Sequence, residues 1–397
     1  MNIKIQPCSL SGKISAIPSK SYAHRILICD FLAGNQIRTQ FGGFASNDIS
    51  VTADCLNKLK NGQTTLDCGE SGSTLRFMIL LCASIGGQFE FVGHGRLMQR
   101  PNEQLFSVLR EHGVSVSQDK SIKISGKLTA GEYYVSGNVS SQYVSGLIMA
   151  LSTVEGKSTI ILTTPLGSKP YVDITMEIVN GYGGRACEIS GGYQIDGVKR
   201  LSGNLYPEGD WSNSAFFLTL GAIGDRITVD GLNLNSAQGD KKILEILRLA
   251  GAKVVAENQS VWVVKDKLNP FTVSLDDCPD LVPITAVLAS FCDGKSILND
   301  IERLKVKESD RIESIIAMLN AFGIKAQSDG KSMTVFGSQP TAGEINSFND
   351  HRIVMASAVL ASMASGQSVI TDAQAVNKSY PTFFDDFCKL GGKANEF

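Results

Sequence analysis

Pro18-Ser19-Lys20-Ser21-Tyr22-Ala23-His24-Arg25 runs into Ile26-Leu27-Ile28-Cys29-Asp30-Phe31-Leu32-Ala33-Gly34. The first half is polar and cationic, the second is apolar, and Pro and Ser at one end with Gly at the other are helix start and stop signals. A helix N-terminus offers unpaired backbone N–H groups and the positive end of a dipole. Lys20, Ser21 and Arg25 placed there build a site for an anion, with phosphate or carboxylate as the natural guest. The alternative is an ordinary capped core helix whose Lys and Arg face water, and this stretch alone leaves both open. Recurrence changes the balance.

Five further segments share the plan of polar opening, apolar helix and Gly stop. They are Gly69–Thr74 into Leu75–Gly86, Ser140–Gln142 into Tyr143–Gly156, Gly209–Ser212 into Asn213–Gly224, Asp280–Pro283 into Ile284–Gly294, and Asn349–Arg352 into Ile353–Gly366. With Lys20, Gly72, Ser140, Asp210, Asp280 and Asp350 as markers, the steps are 52, 68, 70, 70 and 70 residues. A second marker, a polar helix ending in Gly before an alternating strand, keeps the same period around Gly113, Gly181, Gly251 and Gly323, with a partial copy at Leu390-Gly391-Gly392-Lys393. Two markers on one period indicate an internal repeat. Each repeat is expected to hold one buried helix, one amphipathic helix and several short strands, giving an α/β protein of six repeats. Two domains of three repeats across a cleft is the inferred arrangement; a solenoid also satisfies the period.

Composition bounds the function. A chain of 397 residues exceeds the usual size of one core, and 43% hydrophobic with 19% charged residues is a soluble globular balance. A net charge of −2 gives no global basic field for nucleic acid, so anion affinity has to be local. Nine cysteines without a C-x-x-C pair, most of them in apolar segments, point to reduced buried thiols in the cytoplasm rather than a zinc site or disulfide framework. The start, Met1-Asn2-Ile3-Lys4-Ile5-Gln6, is strand-like and lacks a signal-peptide core, and the apolar runs are too short for a bilayer.

The densest charged motif is Glu302-Arg303-Leu304-Lys305-Val306-Lys307-Glu308-Ser309-Asp310-Arg311. Read as helix, it puts Lys307 and Arg311 on one face with Glu308 close by. A Glu among cations stays ionised unless a substrate anion offsets them, so binding could tune its protonation; a solvated salt-bridge ladder is the alternative. Asp280 precedes Pro283 and an uninterrupted apolar helix, where an N-cap is the commoner role. Arg352 opens a helix with no other charge for many residues, and a cation there opposes the dipole unless it meets an anion. Lys378 and Arg100 are loop cations, otherwise simply solvated. Neither Gly-x-x-x-x-Gly-Lys-Ser nor a dinucleotide fingerprint appears in a strand–helix context, and no paired-His motif or Ser nucleophile elbow is present. What remains is a cleft rich in Lys, Arg, Ser and Gln with two candidate acid/base carboxylates, suited to two small polyanions reacting without cofactor, metal or nucleotide.

In chain order, Pro18-Ser19-Lys20-Ser21 with Arg25, Ser71-Gly72-Ser73-Thr74-Leu75-Arg76, Arg100-Pro101, Ser140-Ser141-Gln142, Ser168–Thr175, Gly209-Asp210, Asp280, Lys307–Arg311, Asn349–Arg352 and Lys378 together resemble the enolpyruvyl transferases over nearly the whole chain. The resemblance is to the branch that acts on shikimate 3-phosphate. It implies the two-domain enolpyruvyl transferase fold, an inside-out α/β barrel with three repeats per domain. Residues 1–18 with 208–397 would form one domain and 19–207 the other, with hinges near Pro18 and Pro207-Glu208. The implied activity moves the enolpyruvyl group of phosphoenolpyruvate onto the 5-hydroxyl of shikimate 3-phosphate through a tetrahedral intermediate, in the shikimate pathway of aromatic biosynthesis.

By the same resemblance, Ser21, Arg25, Ser140, Ser141, Gln142, Ser168, Tyr171, Asp280 and Lys307 hold shikimate 3-phosphate. Lys20, Gly72, Arg100, Arg311, Arg352 and Lys378 hold phosphoenolpyruvate. The implied catalytic set is Asp280, Glu308 and Lys20, with Glu308 protonating the methylene carbon and Asp280 receiving the hydroxyl proton. Gly72 implies sensitivity to glyphosate, because a side chain there would crowd the phosphoenolpyruvate pocket. Glu70 stands where many members carry Asn, Ile17 where Pro is usual, and Arg303 where some carry Asn. The rivals are the sister transferase acting on UDP-N-acetylglucosamine and a non-catalytic anion binder on the same scaffold. The sister enzyme typically opens with Lys-Asn and carries a loop Cys, whereas here Ser21 follows Lys20 and the Arg100 loop has no Cys. A monomer is expected, since nothing in the chain marks an obligate interface.

Overall fold

The computed structural model describes all 397 residues. In chain order, β1 (Ile3–Gln6) and β2 (Gly12–Ser15) precede α1 (Lys20–Ala33), α2 (Asn47–Lys60), β3 (Thr65–Asp67), α3 (Gly72–Ile85), β4 (Gly87–Val92), α4 (Glu103–Glu111), β5 (Val114–Gln118), β6 (Ile122–Gly126), β7 (Glu132–Val135), α5 (Ser141–Leu151), β8 (Gly156–Leu162), α6 (Lys169–Gly181), β9 (Ala186–Ile189) and β10 (Gly192–Gly197). Then come α7 (Trp211–Ile223), β11 (Ile227–Asp230), α8 (Ile243–Leu249), β12 (Lys253–Glu257), β13 (Ser260–Val264), β14 (Thr272–Ser274), α9 (Val282–Ser290), β15 (Lys295–Asn299), α10 (Arg311–Ala321), β16 (Ala326–Ser328), β17 (Ser332–Phe336), β18 (Glu344–Asn346), α11 (His351–Ser362), β19 (Ser368–Thr371), α12 (Phe383–Lys389) and β20 (Lys393–Glu396). They form two compact units: a continuous one, Pro18–Pro207, and a two-segment one, Met1–Ile17 with Glu208–Phe397.

Five four-stranded sheets share one plan, a parallel edge pair followed by two antiparallel neighbours. The continuous unit holds β3-β4-β6-β5 and β7-β8-β10-β9. In the two-segment unit, β14-β15-β17-β16 is built from consecutive chain, while β2 pairs parallel to β11 and β1 lies between β19 and β20. The N-terminal residues therefore complete two sheets of the C-terminal segment. The strands alternate, with Phe89 and Phe91, Val261 and Val263, or Met333 and Val335 turned into the core.

Under the sheets lie the six helices expected from the repeat. α1, α3 and α5 pack on one another in the continuous unit, and α7, α9 and α11 do so in the other. All 13 residues of α7 are buried, which is why it is apolar on every side. Side chains cap four openings: Ser71, Ser140, Asp210 and Asp350 accept from the backbone N–H of Thr74, Gln142, Asn213 and Arg352. No helix is long and apolar enough to cross a membrane.

Two expectations need correction. The first repeat has its helices α1 and α2 but no sheet, only the isolated bridge between Phe41 and Phe44. Its 52-residue step is 18 short of 70, the length of a strand hairpin, so α2 runs through Asn61-Gly62 straight to β3 of the next repeat. Secondly, α5, α9 and α11 stop at Leu151, Ser290 and Ser362, before the glycines expected to end them. Gly156 (φ 108°) opens β8 and Gly294 (φ 135°) precedes β15, in backbone that disfavours a side chain.

Candidate active site

In the continuous unit the cations are held by rungs between helix openings. Lys20 Nζ meets Asp48 Oδ2 at 2.8 Å, joining the first turns of α1 and α2. One turn deeper, His24 Nδ1 meets Thr52 Oγ1 at 2.8 Å, and Thr52 meets Thr74 Oγ1 of α3 at 2.6 Å. Thr74 Oγ1 then donates to the capping Ser71 at 2.8 Å. Burial, then Lys20 and Arg25, holds His24 well below the ordinary imidazole range, so the rung is neutral.

Arg25 is 3% exposed, and all the hydrogen-bond partners its guanidinium reaches are uncharged. It donates to Thr175 Oγ1 (2.6 Å), the Ser21 carbonyl (2.8 Å), the Tyr171 carbonyl (2.9 Å) and Ser145 Oγ (3.2 Å). Burial lowers it to about 10, still a cation at neutral pH. Ser21, Arg25 and Tyr171 thus form one cluster. Ser168 caps α6 nearby in sequence with left-handed backbone, φ 57°. Gln142 Nε2 donates to Ser73 Oγ at 2.8 Å and its Oε1 accepts from Arg76 at 2.6 Å, with Ser140 Oγ also facing Arg76. Arg100 lies against Gly72, where an added Cβ would stand 2.4 Å from Nη1. The Gly72 requirement is therefore set first by Arg100.

In the two-segment unit one guanidinium organises the cluster. Arg311, 1% exposed, donates from Nη1 to Asp280 Oδ1, from Nη2 to Glu308 Oε2 and from Nε to Asp350 Oδ2, each at 2.7 Å. Arg352 Nη2 donates to Asp280 Oδ2 at 2.8 Å, and Lys307 Nζ lies 3.9 Å from Asp280 Oδ1. Lys378 Nζ donates to the Asn349 carbonyl at 2.6 Å, beside the opening of α11. The anion that Arg352 needs at that helix start is therefore supplied by the chain itself, as Asp280. Burial works to raise the Asp280 carboxyl, but Arg352, Lys307 and Arg311 hold it well below the carboxylate range. Asp240 goes the other way, to about 7, through burial and the neighbouring Asp280 against the pull of Arg352.

Asp280 is not an N-cap; it sits in the 3-10 turn Pro279–Leu281 and spends its carboxylate on two arginines. Nor do Lys307 and Glu308 lie on a helix, because Asp310 caps α10 at Ile312 and Glu313. The helical-face reading was wrong while the grouping stands, since a turn brings Glu308 back to Arg311. Sequence reasoning missed Asp48, Arg76, Asn102, Asp240 and the ligating role of Asp350. Helix-start patterns flag Asp48 and Asp350, but their partners lie 28 and 39 residues away.

A family model described as EPSP synthase (3-phosphoshikimate 1-carboxyvinyltransferase) matches residues 5–387. Relatives named 3-phosphoshikimate 1-carboxyvinyltransferase from Clostridium kluyveri and Clostridium novyi are 36% and 34% identical, with all of this chain and 98% and 99% of theirs covered. Among solved structures, EPSP synthase from Acinetobacter baumannii aligns over 100% of both chains with a TM-score of 0.80 at 22% identity. The enolpyruvyl transferase NikO from Streptomyces tendae aligns over 99% of this chain and 98% of its own with 0.78 at 15%. These likenesses establish the enolpyruvyl transferase fold, and the full-length sequence matches are more specific: the chain belongs to the EPSP synthase family.

Proposed function

We propose that the chain transfers the enolpyruvyl group of phosphoenolpyruvate to the 5-hydroxyl of shikimate 3-phosphate and releases phosphate. It acts as a transferase in aromatic biosynthesis. Arg25 with Ser21, Ser140, Ser141, Gln142, Ser168 and Tyr171, joined by Asp280 and Lys307, receives shikimate 3-phosphate. Lys20, Gly72, Arg100, Arg311, Arg352 and Lys378 receive phosphoenolpyruvate. Two anions repel, so these cations must offset their charge before the reacting atoms meet.

The observation that carries this reading is the sharing of Arg311 between Asp280 and Glu308. The carboxylate of phosphoenolpyruvate displaces Glu308 from Nη2, and Glu308, without its cation and next to a new anion, takes up a proton. It delivers that proton to the methylene carbon. C2 becomes electrophilic, the 5-hydroxyl adds to it, and the hydroxyl proton goes to Asp280. In the elimination the new methyl returns its proton to Glu308 and the double bond re-forms. Phosphate departs, and the hydroxyl proton leaves with it.

Phosphate release that requires both substrates tests the activity. Release with UDP-N-acetylglucosamine in place of shikimate 3-phosphate would select the sister reaction, and binding without release would select a non-catalytic receptor. Near wild-type turnover in Glu308→Gln with an unchanged pH–rate profile would remove Glu308 as the acid. Nine unpaired thiols support a reducing cytoplasm, and gel filtration checks the monomer.

A further inference from the structure

Arg76 is assigned no part in the reaction, yet it is 5% exposed and stands one turn into α3, four residues after Gly72. Nη1 donates to Gln142 Oε1 at 2.6 Å and to Ser140 Oγ at 3.4 Å. On its other side Nε donates to Asn102 Oδ1 at 3.0 Å and Nη2 to the Pro101 carbonyl at 3.1 Å. Asn102 Nδ2 in turn donates to the Arg100 carbonyl at 3.1 Å, and the Tyr143 hydroxyl reaches the same Pro101 carbonyl at 2.8 Å. The Arg76 guanidinium lies over the Tyr143 ring, 5.3 Å from its centroid.

A guanidinium only donates, so the side-chain amide of Gln142 has one permitted orientation, oxygen to Arg76 and nitrogen to Ser73. The planar fork also fixes the Arg100–Asn102 peptide, from which Arg100 extends over Gly72. We propose that Arg76 is a positioning residue that couples the two substrate subsites of the continuous unit, setting Gln142 for shikimate 3-phosphate and Arg100 for phosphoenolpyruvate through one buried cation. The assignment of the two subsites rests on the function proposed above. Lysine at this position keeps the charge but cannot span both groups, because an ammonium is a point donor without a fork.

Steady-state kinetics on Arg76→Lys and Asn102→Ala decide it, with phosphate release as the readout. Arg76→Lys is expected to raise KM for both substrates about tenfold, in line with losing hydrogen bonds to a charged group, and to leave kcat within a few-fold. Asn102→Ala, which cuts only the Arg100 side, is expected to raise KM for phosphoenolpyruvate alone. In the double variant the two effects on that KM do not multiply. Unchanged KM values in Arg76→Lys, or a loss confined to kcat or melting temperature, overturn the coupling. Should Arg76→Lys fail to fold, Asn102→Ala and Tyr143→Phe carry the test, and an unchanged KM for phosphoenolpyruvate in both overturns it. Absence of phosphate release from the wild type would count against the proposed function, not against this arrangement.

Discussion

The two units treat Arg25 and Arg311 in opposite ways. In the continuous unit Arg25 is held by hydroxyls and carbonyls alone, and its positive charge is left uncancelled, while Lys20 at the helix openings pairs with Asp48. In the two-segment unit Arg311 faces Asp280, Glu308 and Asp350 at once, and Arg352 faces Asp280. Neutral partners satisfy donors without consuming the field, which suits a preformed receptor for a dianion. Carboxylate partners cancel the field until a substrate replaces one of them, which suits a site where a proton must move. On the function proposed above, the Arg25 cluster would serve to bind, and the Arg311 cluster both to bind and to move a proton.

The largest effect that can break this division is on turnover. Asp280→Asn and Glu308→Gln are each expected to lower kcat by about 10²–10⁴ with modest changes in KM. Arg25→Gln is expected to weaken shikimate 3-phosphate binding by one to two orders of magnitude and spare kcat, as loss of hydrogen bonds to a charged phosphate would. Single-turnover phosphate release beside calorimetric titration separates the two, and a kcat collapse in Arg25→Gln would erase the distinction.

Stability provides the next contrast. Arg311→Gln leaves Asp350, fully buried, and two further carboxylates facing one another, at a cost of about 3–5 kcal/mol. Arg25→Gln strands only uncharged acceptors and is expected to cost about 1–3 kcal/mol. Urea unfolding of both variants measures the difference, and equal losses would mean that the carboxylates of the two-segment unit are not mutually repelling in the folded chain.

The two kinds of cluster also differ in how far they could be read from sequence. Six helix openings on one period were legible because apolar helices and glycines are local signals, and that marked Lys20, Gly72, Asp280 and Arg352 as candidates. The missing first sheet was foreshadowed by the short step from Lys20 to Gly72, but a length deficit does not say which element is lost. The Arg311 cluster was misread as a helical face because Asp310 caps the helix only after Glu308, a matter of backbone geometry. Arg76 carries no local signal of a role, since its partners lie 25, 26, 64 and 66 residues away. Sequence periodicity reports which end of a helix faces the site; it does not report which cation touches which acceptor.

A smaller effect isolates the Gly72 contact. Gly72→Ala puts a methyl 2.4 Å from Arg100 Nη1, so Arg100 has to swing away. KM for phosphoenolpyruvate is expected to rise severalfold with shikimate 3-phosphate binding unchanged, and competition by glyphosate against phosphoenolpyruvate should weaken in the same variant. A wild type in which glyphosate does not compete with phosphoenolpyruvate would overturn the assignment of this pocket.

The smallest expected effect concerns pH, where the units have opposite signs. Folded Asp240 holds its proton up to about 7, from an ordinary 3.8, through burial and the nearby Asp280. The unfolded chain gives that proton up near pH 4, so ionising buried Asp240 erodes stability as pH rises from about 4 to 7 and the penalty persists above. His24 is held well below its ordinary 6.5 by burial, Lys20 and Arg25. The unfolded chain gains that proton and the folded chain does not, so its contribution is full above pH 6.5 and lost as pH falls below it. Asp240→Asn should therefore raise Tm at pH 8 by roughly 2–4 °C and leave it unchanged at pH 4. His24→Gln should flatten the limb between pH 6.5 and 5 and leave pH 8 alone. Calorimetry at these pH values checks both, and variants that shift Tm equally at every pH would show that packing rather than protonation sets the difference. In the wild type the two slopes oppose each other below pH 6.5 and both have levelled off above about pH 7.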